Sequence, residues 1–522
     1  MFVKNINKNA LKTNISWLLF FVISVCIFSL YYSCTIVANS FGLDQYKLIE
    51  YSKEILEGNF RLVGMRTSRL NWNFPMINYL ITPLVAITSD PWALYISTAV
   101  TYVFSILSLS WILFINRPFS EFLIFAALSM THVWSLFYSS YLWQQNYIPF
   151  FVTLFFICFF QYLKHSENVW LFHGASVFLN IAFQLHSMSV VLILGFILAL
   201  LMLGKLPRYR HWFLQVGIQF FLLSPWVIHH LFVINWAKEP RYHSSLFKDF
   251  LSPLQAFMDY LSGTGLTREY SPYLNYGTNT FPHETFWFTW LSVGRWIFLS
   301  LLIWALWKAH KLLNVHGITW KKLRYHLLPH YHEETDINRA YPVAIYCLFL
   351  PTLLYLVSGI FMVPHYFQFL TPLVFLLLAT LPRQIKHTTK RKIAWSGILA
   401  IVLIQGSFSY WRAAEEYRSP YLDDVGYTQV LARVVAEQCQ DYPQIRFVSE
   451  RGIKNAGKMF QYRFDPELAE FNRGGTLHCK TLLIFQNKLF AQSPVVNWYL
   501  QLLTPVLKLE THNNQIWIMG NQ

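Results

Sequence analysis

The chain has 522 residues, of which 55% are hydrophobic, 18% are aromatic and only 13% are charged. Average soluble proteins carry roughly 25% charged residues, so this composition excludes an ordinary soluble enzyme. The formal net charge is +15, but the lysines and arginines cluster in alternate connections between apolar runs. This is the positive-inside pattern of membrane proteins, and it argues against a nucleic-acid partner.

Apolar runs of about 20 residues recur along most of the chain, the length of helix that crosses a bilayer core of roughly 30 Å. These runs lack the period-two alternation of membrane β-strands. The sequence therefore predicts an all-α polytopic membrane protein. Eleven transmembrane helices are expected, at about 16–38, 91–115, 119–137, 147–163, 169–186, 188–204, 211–235, 286–307, 341–360, 366–382 and 393–410.

The charge distribution predicts the orientation of these helices. Lys4, Lys8 and Lys12 precede the first apolar run, which predicts a cytoplasmic N-terminus and an uncleaved first helix. Counting spans from there places every strongly basic connection in the cytoplasm and the C-terminus outside. The polar, aromatic stretch 235–285 is then expected to be a long extracytoplasmic loop.

The last part of the chain has the composition of a small soluble domain. Strands are expected at 445–450 and 481–486, a hairpin from 506–510 to 515–519, and helices at 423–440 and 495–503. We therefore divide the chain into a transmembrane domain, 1–410, and an extracytoplasmic α/β domain, 411–522. Cys439 and Cys479 fall in the second domain, where an oxidising compartment permits a disulfide between them.

A segment after the first span, 41–84, combines an acid, nearby bases and a return to the membrane. Asp44 begins a short amphipathic helix that Gly58 is expected to end. A connector with Arg61, Arg66 and Arg69 follows, and Pro75 is suited to start a new helix that is too short to cross. This arrangement suits chemistry on a lipid-borne, negatively charged substrate.

Together with the aromatic spans, this segment resembles the GT-C superfamily of polyprenyl-phosphate-sugar-dependent glycosyltransferases. The likeness is to the bacterial branch related to protein mannosyltransferases and the aminoarabinose transferase of lipid A, over roughly residues 16–382. It rests on Asp44 and on the strings NFPMINYL, WQQNYIPFFVTLFFICFF, FQLHS and PHYFQFLTPLVFLLL. The chain has Asp44-Gln45 where many relatives carry Asp-Glu, and His365-Tyr366 where many carry Arg-Tyr.

The resemblance implies an integral-membrane enzyme of a bacterial inner membrane that needs no metal and no cofactor. It would move a sugar from a polyprenyl-phosphate donor to a hydroxyl of a glycan, lipid or protein acceptor, on the extracytoplasmic face and with inversion. Asp44 is the candidate general base, because a hydroxyl is a poor nucleophile at neutral pH. A helix cap is the alternative role for an aspartate at this position.

Cationic groups should stabilise the donor phosphate as the glycosidic bond breaks. Arg295 falls within an apolar run, where a charge usually faces a cavity or a partner unless it snorkels to the interface. His365 lies at a span boundary, where packing accounts for it equally well. The candidates for the donor phosphate are Arg66, Arg69, Arg295, His365 and Tyr366.

Sugar or acceptor contacts are expected from Trp143, Gln144, Gln145 and His186, which fall in connections on the outer side. An interfacial aromatic belt explains Trp143 equally well, and His186 also fits as a simple helix end. A second carboxylate is available from the long loop, where nothing distinguishes one acid from another. These acids are Glu239, Asp249, Asp259, Glu269 and Glu284.

Two other functions compete with a transferase. One is a transporter or flippase of lipid-linked sugars. Ion-coupled carriers usually place acids at the middle of their spans, and the predicted spans have none there, which argues against coupled transport but not against passive flipping. The other is an oligosaccharide polymerase or ligase, which the long loop 235–285 keeps open.

Overall fold

Helices make up most of this computed structural model. The structure describes residues 2–37, 43–65, 72–88, 91–139, 141–233, 252–264, 284–315, 337–357, 364–418, 446–448, 482–487, 504–510 and 514–520. Within these ranges the α-helices are α1 Phe2–Val37, α2 Leu43–Leu56, α3 Met76–Ile87, α4 Pro91–Asn116, α5 Phe119–Thr131, α6 Val133–Tyr138, α7 Ile148–Lys164, α8 Val169–Leu185, α9 Val190–Met202, α10 Tyr209–Ile228, α11 Ser252–Ser262, α12 Glu284–Val315, α13 Ile337–Leu356, α14 Thr371–Gln384 and α15 Thr388–Arg418.

The predicted polytopic helical fold is confirmed. Seven helices of the described chain are long and apolar enough to cross a membrane, namely Ser16–Ser33, Ala93–Asn116, Gln144–Lys164, Tyr209–Val233, Phe286–Leu312, Tyr366–Gln384 and Thr388–Arg412. The other four predicted spans are shorter apolar helices, Phe119–Thr131, Val169–Leu185, Ser187–Met202 and Ala340–Leu356. Packing against neighbouring helices holds them in the bundle, as for α8 against α7 and α9 against α13.

The segment after the first span folds as the sequence predicts. Helix α2 ends at Leu56, and Gly58 follows it with φ of 90°, a left-handed conformation that glycine adopts at little cost. Helix α3 begins directly after Pro75 and has 12 residues, about 18 Å at the usual rise. It is therefore too short to cross, and it packs against α2 and α8.

One predicted span is broken in the structure. The run 119–137 was expected to form one helix, but it divides into α5 and α6 at His132, whose backbone is extended. The His132 side chain accepts a hydrogen bond from the backbone N–H of Ser135 and so caps α6. Because the residues on both sides of His132 are largely apolar, the hydropathy of the sequence does not reveal this break.

The stretch 235–285, expected to be a loop, contains a buried helix. In α11, the side chains from Ala256 to Ser262 are all buried, and the helix packs against α12 and α13. Phe257, Tyr260 and Leu261 recur at helical spacing and supply the apolar face. The polar residues around this short run masked its helical pattern in the sequence.

The helices share one strongly basic end. Arg117, at the end of α4, pairs with Glu121 of α5 at 2.8 Å, and Arg383 of α14 lies 3.5 Å from the same carboxylate. Lys164, at the end of α7, donates to the Asn116 side chain at 2.8 Å. We call this group of residues the basic end. It fixes the relative depth of four helices and coincides with the side that the positive-inside pattern assigns to the cytoplasm.

Aromatic packing fills the bundle between its ends. Phe155 and Phe159 of α7 stack on each other, and both meet Phe196 of α9 edge-on at centroid distances of 5.3 and 5.1 Å. Helix α9 also approaches α13 closely, because a Cβ at Gly195 would lie 2.6 Å from the Leu348 Cα. A side chain larger than hydrogen at Gly195 would force these two helices apart.

The C-terminal strands form one mixed sheet. Strands β1 Arg446–Val448, β2 Leu482–Asn487, β3 Thr504–Glu510 and β4 Asn514–Gly520 lie in the order β1-β2-β4-β3. Strands β1 and β2 are parallel, and the predicted hairpin of β3 and β4 is confirmed. The expected helices at 423–440 and 495–503 lie outside the described residues, as do Cys439 and Cys479. Helix α15 continues to Arg418, and the division at 410 stays a prediction.

Candidate functional site

Three 3-10 turns lie at the end of the bundle opposite the basic end. They are the first turn, Gln144–Tyr147, the second turn, Ser187–Ser189, and the third turn, Pro364–Leu370. The third turn contacts the other two, and it also packs against α7 and α11. Segments that are far apart in the sequence are thereby brought to one place.

The local sequence explains why the helices are interrupted here. Helices α7 and α14, which follow the first and third turns, each carry a proline in their opening turn, Pro149 and Pro372. Proline has no N–H to continue the preceding hydrogen-bond ladder, so a new helix starts there. Before the second turn His186 is extended, and its Nδ1 accepts from the Met188 N–H at 3.4 Å.

Two residues predicted for different parts of the site meet at this junction. The rings of His186 and Tyr366 lie 4.5 Å apart between centroids, and both side chains are half-buried. Trp143, which directly precedes the first turn, is also half-buried and packs edge-on against Tyr141. Half-buried aromatic and imidazole rings are suited to contact a bound sugar from the rim of a cleft.

Buried side-chain amides lie beside these rings. Gln144 and Gln145 are each 4% exposed, and Gln368 of the third turn is 2% exposed. The Oε1 atoms of all three have no hydrogen-bond partner among the described residues, and the same holds for Nε2 of Gln368. Most buried polar groups in proteins are paired with protein or water, so these amides are candidates for hydrogen bonds to water or to a polar ligand.

Arg295 lies close to this junction and has a specific partner. Its Nη1 is 3.2 Å from Oδ1 of Asp259 in α11, and the Thr264 hydroxyl donates to the same oxygen at 2.8 Å. Asp259 is thus the described acid of the stretch 235–285 that the structure shows paired with an arginine. The apolar spacing of Phe257, Tyr260 and Leu261 around it was the signal in the sequence.

A hydrogen-bond chain through the core was not expected from the sequence. The Tyr102 hydroxyl donates to Ser135 Oγ at 2.7 Å, and Ser135 Oγ lies 2.8 Å from His132 Nδ1. On the other side of the ring, His132 Nε2 lies 3.3 Å from the Tyr260 carbonyl. With Nδ1 accepting, Nε2–H donates to that carbonyl. These hydrogen bonds connect α4, α6 and α11.

The backbone places Asp44 at the same end of the bundle. Two contacts give the direction of helix α1. Trp17 packs on Phe114 near the basic end, and Tyr31, further along the helix, donates to the Ser129 carbonyl in mid-bundle. The end of α1 and the start of α2 are therefore at the end that holds the three turns. Asp44 is the second residue of α2. The side chains of Asp44 and His365, and all of Arg66 and Arg69, lie outside the described residues.

The connector after α2 is folded back onto that helix. Arg61 Nε donates to Glu54 Oε2 at 2.7 Å, and the Arg61 guanidinium lies 3.2 Å from the centre of the Tyr51 ring. Gly64 and Asn73 pair through their backbones at 2.8 Å. These contacts fix both ends of the stretch that carries Arg66 and Arg69.

In the part of the chain that the structure describes, no group of three His, Cys, Asp or Glu residues is arranged to hold a metal ion.

No protein-family model and no curated protein matches the sequence. A solved structure with a similar arrangement is the crystal structure of ArnT from Cupriavidus metallidurans bound to undecaprenyl phosphate. The likeness covers 96% of this chain and 97% of that chain, with a TM-score of 0.47 and 10% sequence identity.

Proposed function

We propose that this protein is an integral-membrane glycosyltransferase that moves a sugar from a polyprenyl-phosphate donor to an acceptor hydroxyl. The observation that carries the proposal is the junction of the three 3-10 turns. It gathers half-buried rings and buried amides, whose oxygens have no hydrogen-bond partner among the described residues, at the bundle end where the Asp44 helix begins. A polar cleft between apolar helices suits a substrate with a sugar head and a lipid tail.

In the proposed reaction the acceptor oxygen attacks the anomeric carbon as the bond from that carbon to the phosphate oxygen breaks. The Asp44 carboxylate takes the proton of the acceptor hydroxyl, and the polyprenyl phosphate leaves with the electron pair of the broken bond. Direct displacement inverts the anomeric carbon. General-base assistance of this kind contributes typically about 10²–10⁴-fold to the rate.

The candidate cations have complementary roles in this proposal. Arg66 and Arg69 belong to the connector after α2 and, with His365, would contact the donor phosphate. Arg295 is oriented by its 3.2 Å ion pair with Asp259, and with Tyr366 it would complete the phosphate site. Trp143, Gln144, Gln145 and His186 would hold the sugar and the acceptor, because amides and aromatic faces suit hydroxyls and C–H groups respectively.

The test is a turnover assay with purified protein and a panel of radiolabelled undecaprenyl-phosphate sugars, with cell-envelope lipids and glycans as the acceptor mixture. Release of undecaprenyl phosphate is the readout. Asp44→Asn should lower turnover by at least about 100-fold and leave the affinity for the donor unchanged. Glu57→Gln removes a carboxylate from an exposed position just after the same helix, and it is expected to leave turnover unchanged.

Other outcomes would favour the competing functions. A flippase moves the labelled donor across vesicle membranes without releasing its phosphate, and Asp44→Asn would not affect that movement. A polymerase or ligase would transfer whole oligosaccharides from lipid diphosphates, and its activity would depend on residues of 235–285 rather than on Asp44. Unchanged turnover in Asp44→Asn would contradict the proposed mechanism.

A further inference from the structure

Gln368 occupies an unusual position in the third turn. The residues before it have apolar or aromatic neighbours: Tyr366 meets His186, and Phe367 packs against Phe257 at 5.2 Å. Gln368 is 2% exposed, and neither its Oε1 nor its Nε2 has a hydrogen-bond partner among the described residues. A buried amide with both atoms unpaired destabilises a protein unless something else satisfies it.

The neighbouring turns offer polar atoms of the same kind. The Oε1 atoms of Gln144 and Gln145, and the Oγ of Ser189, are also buried without a partner in the described chain. Because the third turn contacts both other turns, the segments that carry these atoms lie together. The three turns read QQNY, SMS and PHYFQFL, and they contain no Lys, Arg, Asp or Glu. The unpaired polar groups are thus amides and a hydroxyl.

We propose that Gln368, Gln144, Gln145 and Ser189 form a pocket that selects an uncharged, polyhydroxylated sugar. This inference rests on the proposed function, since the sugar would be the one carried by the polyprenyl phosphate. Carboxamides donate and accept hydrogen bonds, as sugar hydroxyls do. The four side chains are uncharged and cannot pair with the charge of an amino sugar or a uronic acid, and Arg295 and Asp259 already pair with each other. Burying an unpaired charge against these four groups would be strongly unfavourable.

The first test separates a ligand-binding amide from a structural one. Gln368→Met keeps nearly the same shape and removes the unpaired polar atoms. Without donor, this variant should therefore have an equal or higher Tm than the wild-type protein. Its affinity for an uncharged hexosyl undecaprenyl phosphate should fall roughly tenfold, the loss expected from about one hydrogen bond of the stronger kind. A lower Tm without donor would assign the amide a structural role and overturn the inference.

Gln161→Met is the matched control, because Gln161 is a half-buried glutamine near the basic end of α7. It is expected to change neither Tm nor donor affinity by a comparable amount. If it lowers donor affinity as much as Gln368→Met does, the assignment of the pocket is wrong.

The second test compares donors. Wild-type protein should turn over uncharged hexosyl or pentosyl donors at least roughly tenfold faster than donors carrying an amino sugar or a uronic acid. Gln368→Glu should shift this preference toward the amino sugar, since it introduces the missing opposite charge. Preferred use of a charged sugar by the wild-type protein would overturn the pocket but leave the transferase standing. Turnover of none of the lipid-phosphate sugars would overturn both proposals.

Discussion

At the scale of single residues, Asp259 and Arg295 each need the other as an ion-pair partner, because both charges are largely buried. The Asp259 side chain is 7% exposed and that of Arg295 is 20% exposed, so each charge has lost much of its hydration. A buried charge that keeps its partner is tolerated, whereas one that loses its partner is strongly destabilising. The pair therefore anchors α11 to α12 only as long as both members are present.

Asp259→Ala is expected to lower the free energy of unfolding by about 3 kcal/mol, at the lower end of the usual range because Arg295 is partly hydrated. The double variant Asp259→Leu with Arg295→Met should be more stable than Asp259→Ala alone, since it leaves no unpaired charge. Thermal unfolding of the purified variants, followed by tryptophan fluorescence, measures both effects. If the losses in Asp259→Leu and in Arg295→Met alone add up strictly to the loss in their double variant, the pair is not coupled.

At the scale of elements, α10 is attached to the bundle in an unusual way. Its surface is largely exposed and apolar, as at Phe213, Phe220 and Phe221, which suits contact with lipid. Besides the packing of Phe172 on Trp212, its contacts with α8 include hydrogen bonds: His173 with Gln215 at 2.7 Å, Gln219 with the Ser176 carbonyl at 3.2 Å, and Gln184 with the Leu222 carbonyl at 3.2 Å. Between lipid-facing helices such hydrogen bonds specify the partner, because apolar packing does not distinguish a helix from lipid.

Gln219→Leu should therefore loosen α10 without unfolding the bundle. Gln219 bonds to both Ser176 and Asn180, and the loss of two interhelical hydrogen bonds is worth about 1–2 kcal/mol. Amide hydrogen exchange in 209–228 should accelerate roughly 5- to 30-fold, while exchange in α9 stays unchanged. Phe220→Leu, at a neighbouring lipid-facing position, is the control and should change neither. Equal acceleration in α9 would mean that the polar contacts stabilise the whole bundle instead.

At the scale of the whole molecule, the two ends of the bundle differ in charge and in polar chemistry. The basic end holds Arg117, Lys164 and Arg383, whereas the other end holds the three 3-10 turns. Helices α7 and α14 each begin directly after one of the turns and carry a basic residue in the last turn, Lys164 and Arg383. This polarity leads us to expect that the basic end faces the cytoplasm and that the turns face the opposite compartment.

Single cysteines test this orientation. Lys164→Cys and Ser187→Cys replace exposed residues at the two ends. A membrane-impermeant maleimide added to intact spheroplasts should label Ser187→Cys at once and Lys164→Cys only after the membrane is permeabilised. The parent protein gives the background from its own cysteines. The reverse labelling would place the turns in the cytoplasm and contradict the proposed extracytoplasmic reaction.

Several features followed from local properties of the sequence. The length of an apolar run, the glycine after α2, the proline before α3 and the β-hairpin of β3 and β4 each depend on a few neighbouring residues. Hydropathy and turn chemistry act at that range, so these elements were predictable. The break at His132 was not, because a cap made by one side chain leaves no trace in the apolar composition around it.

The sequence by itself determined that this chain is a helical membrane protein. Its basic connections lie on one side, and polar connections between the apolar runs lie on the other. The sequence also indicated Trp143, Gln144, Gln145, His186 and Tyr366 as separate candidates. Only the tertiary structure decided that their three turns meet, that Asp259 pairs with Arg295, and that the buried Gln368 side chain has no partner among the described residues. Those facts depend on contacts between segments far apart in the sequence: 36 residues separate Asp259 from Arg295, and more than a hundred separate the third turn from the other two. Hydrophobic periodicity carries no information about which helices become neighbours.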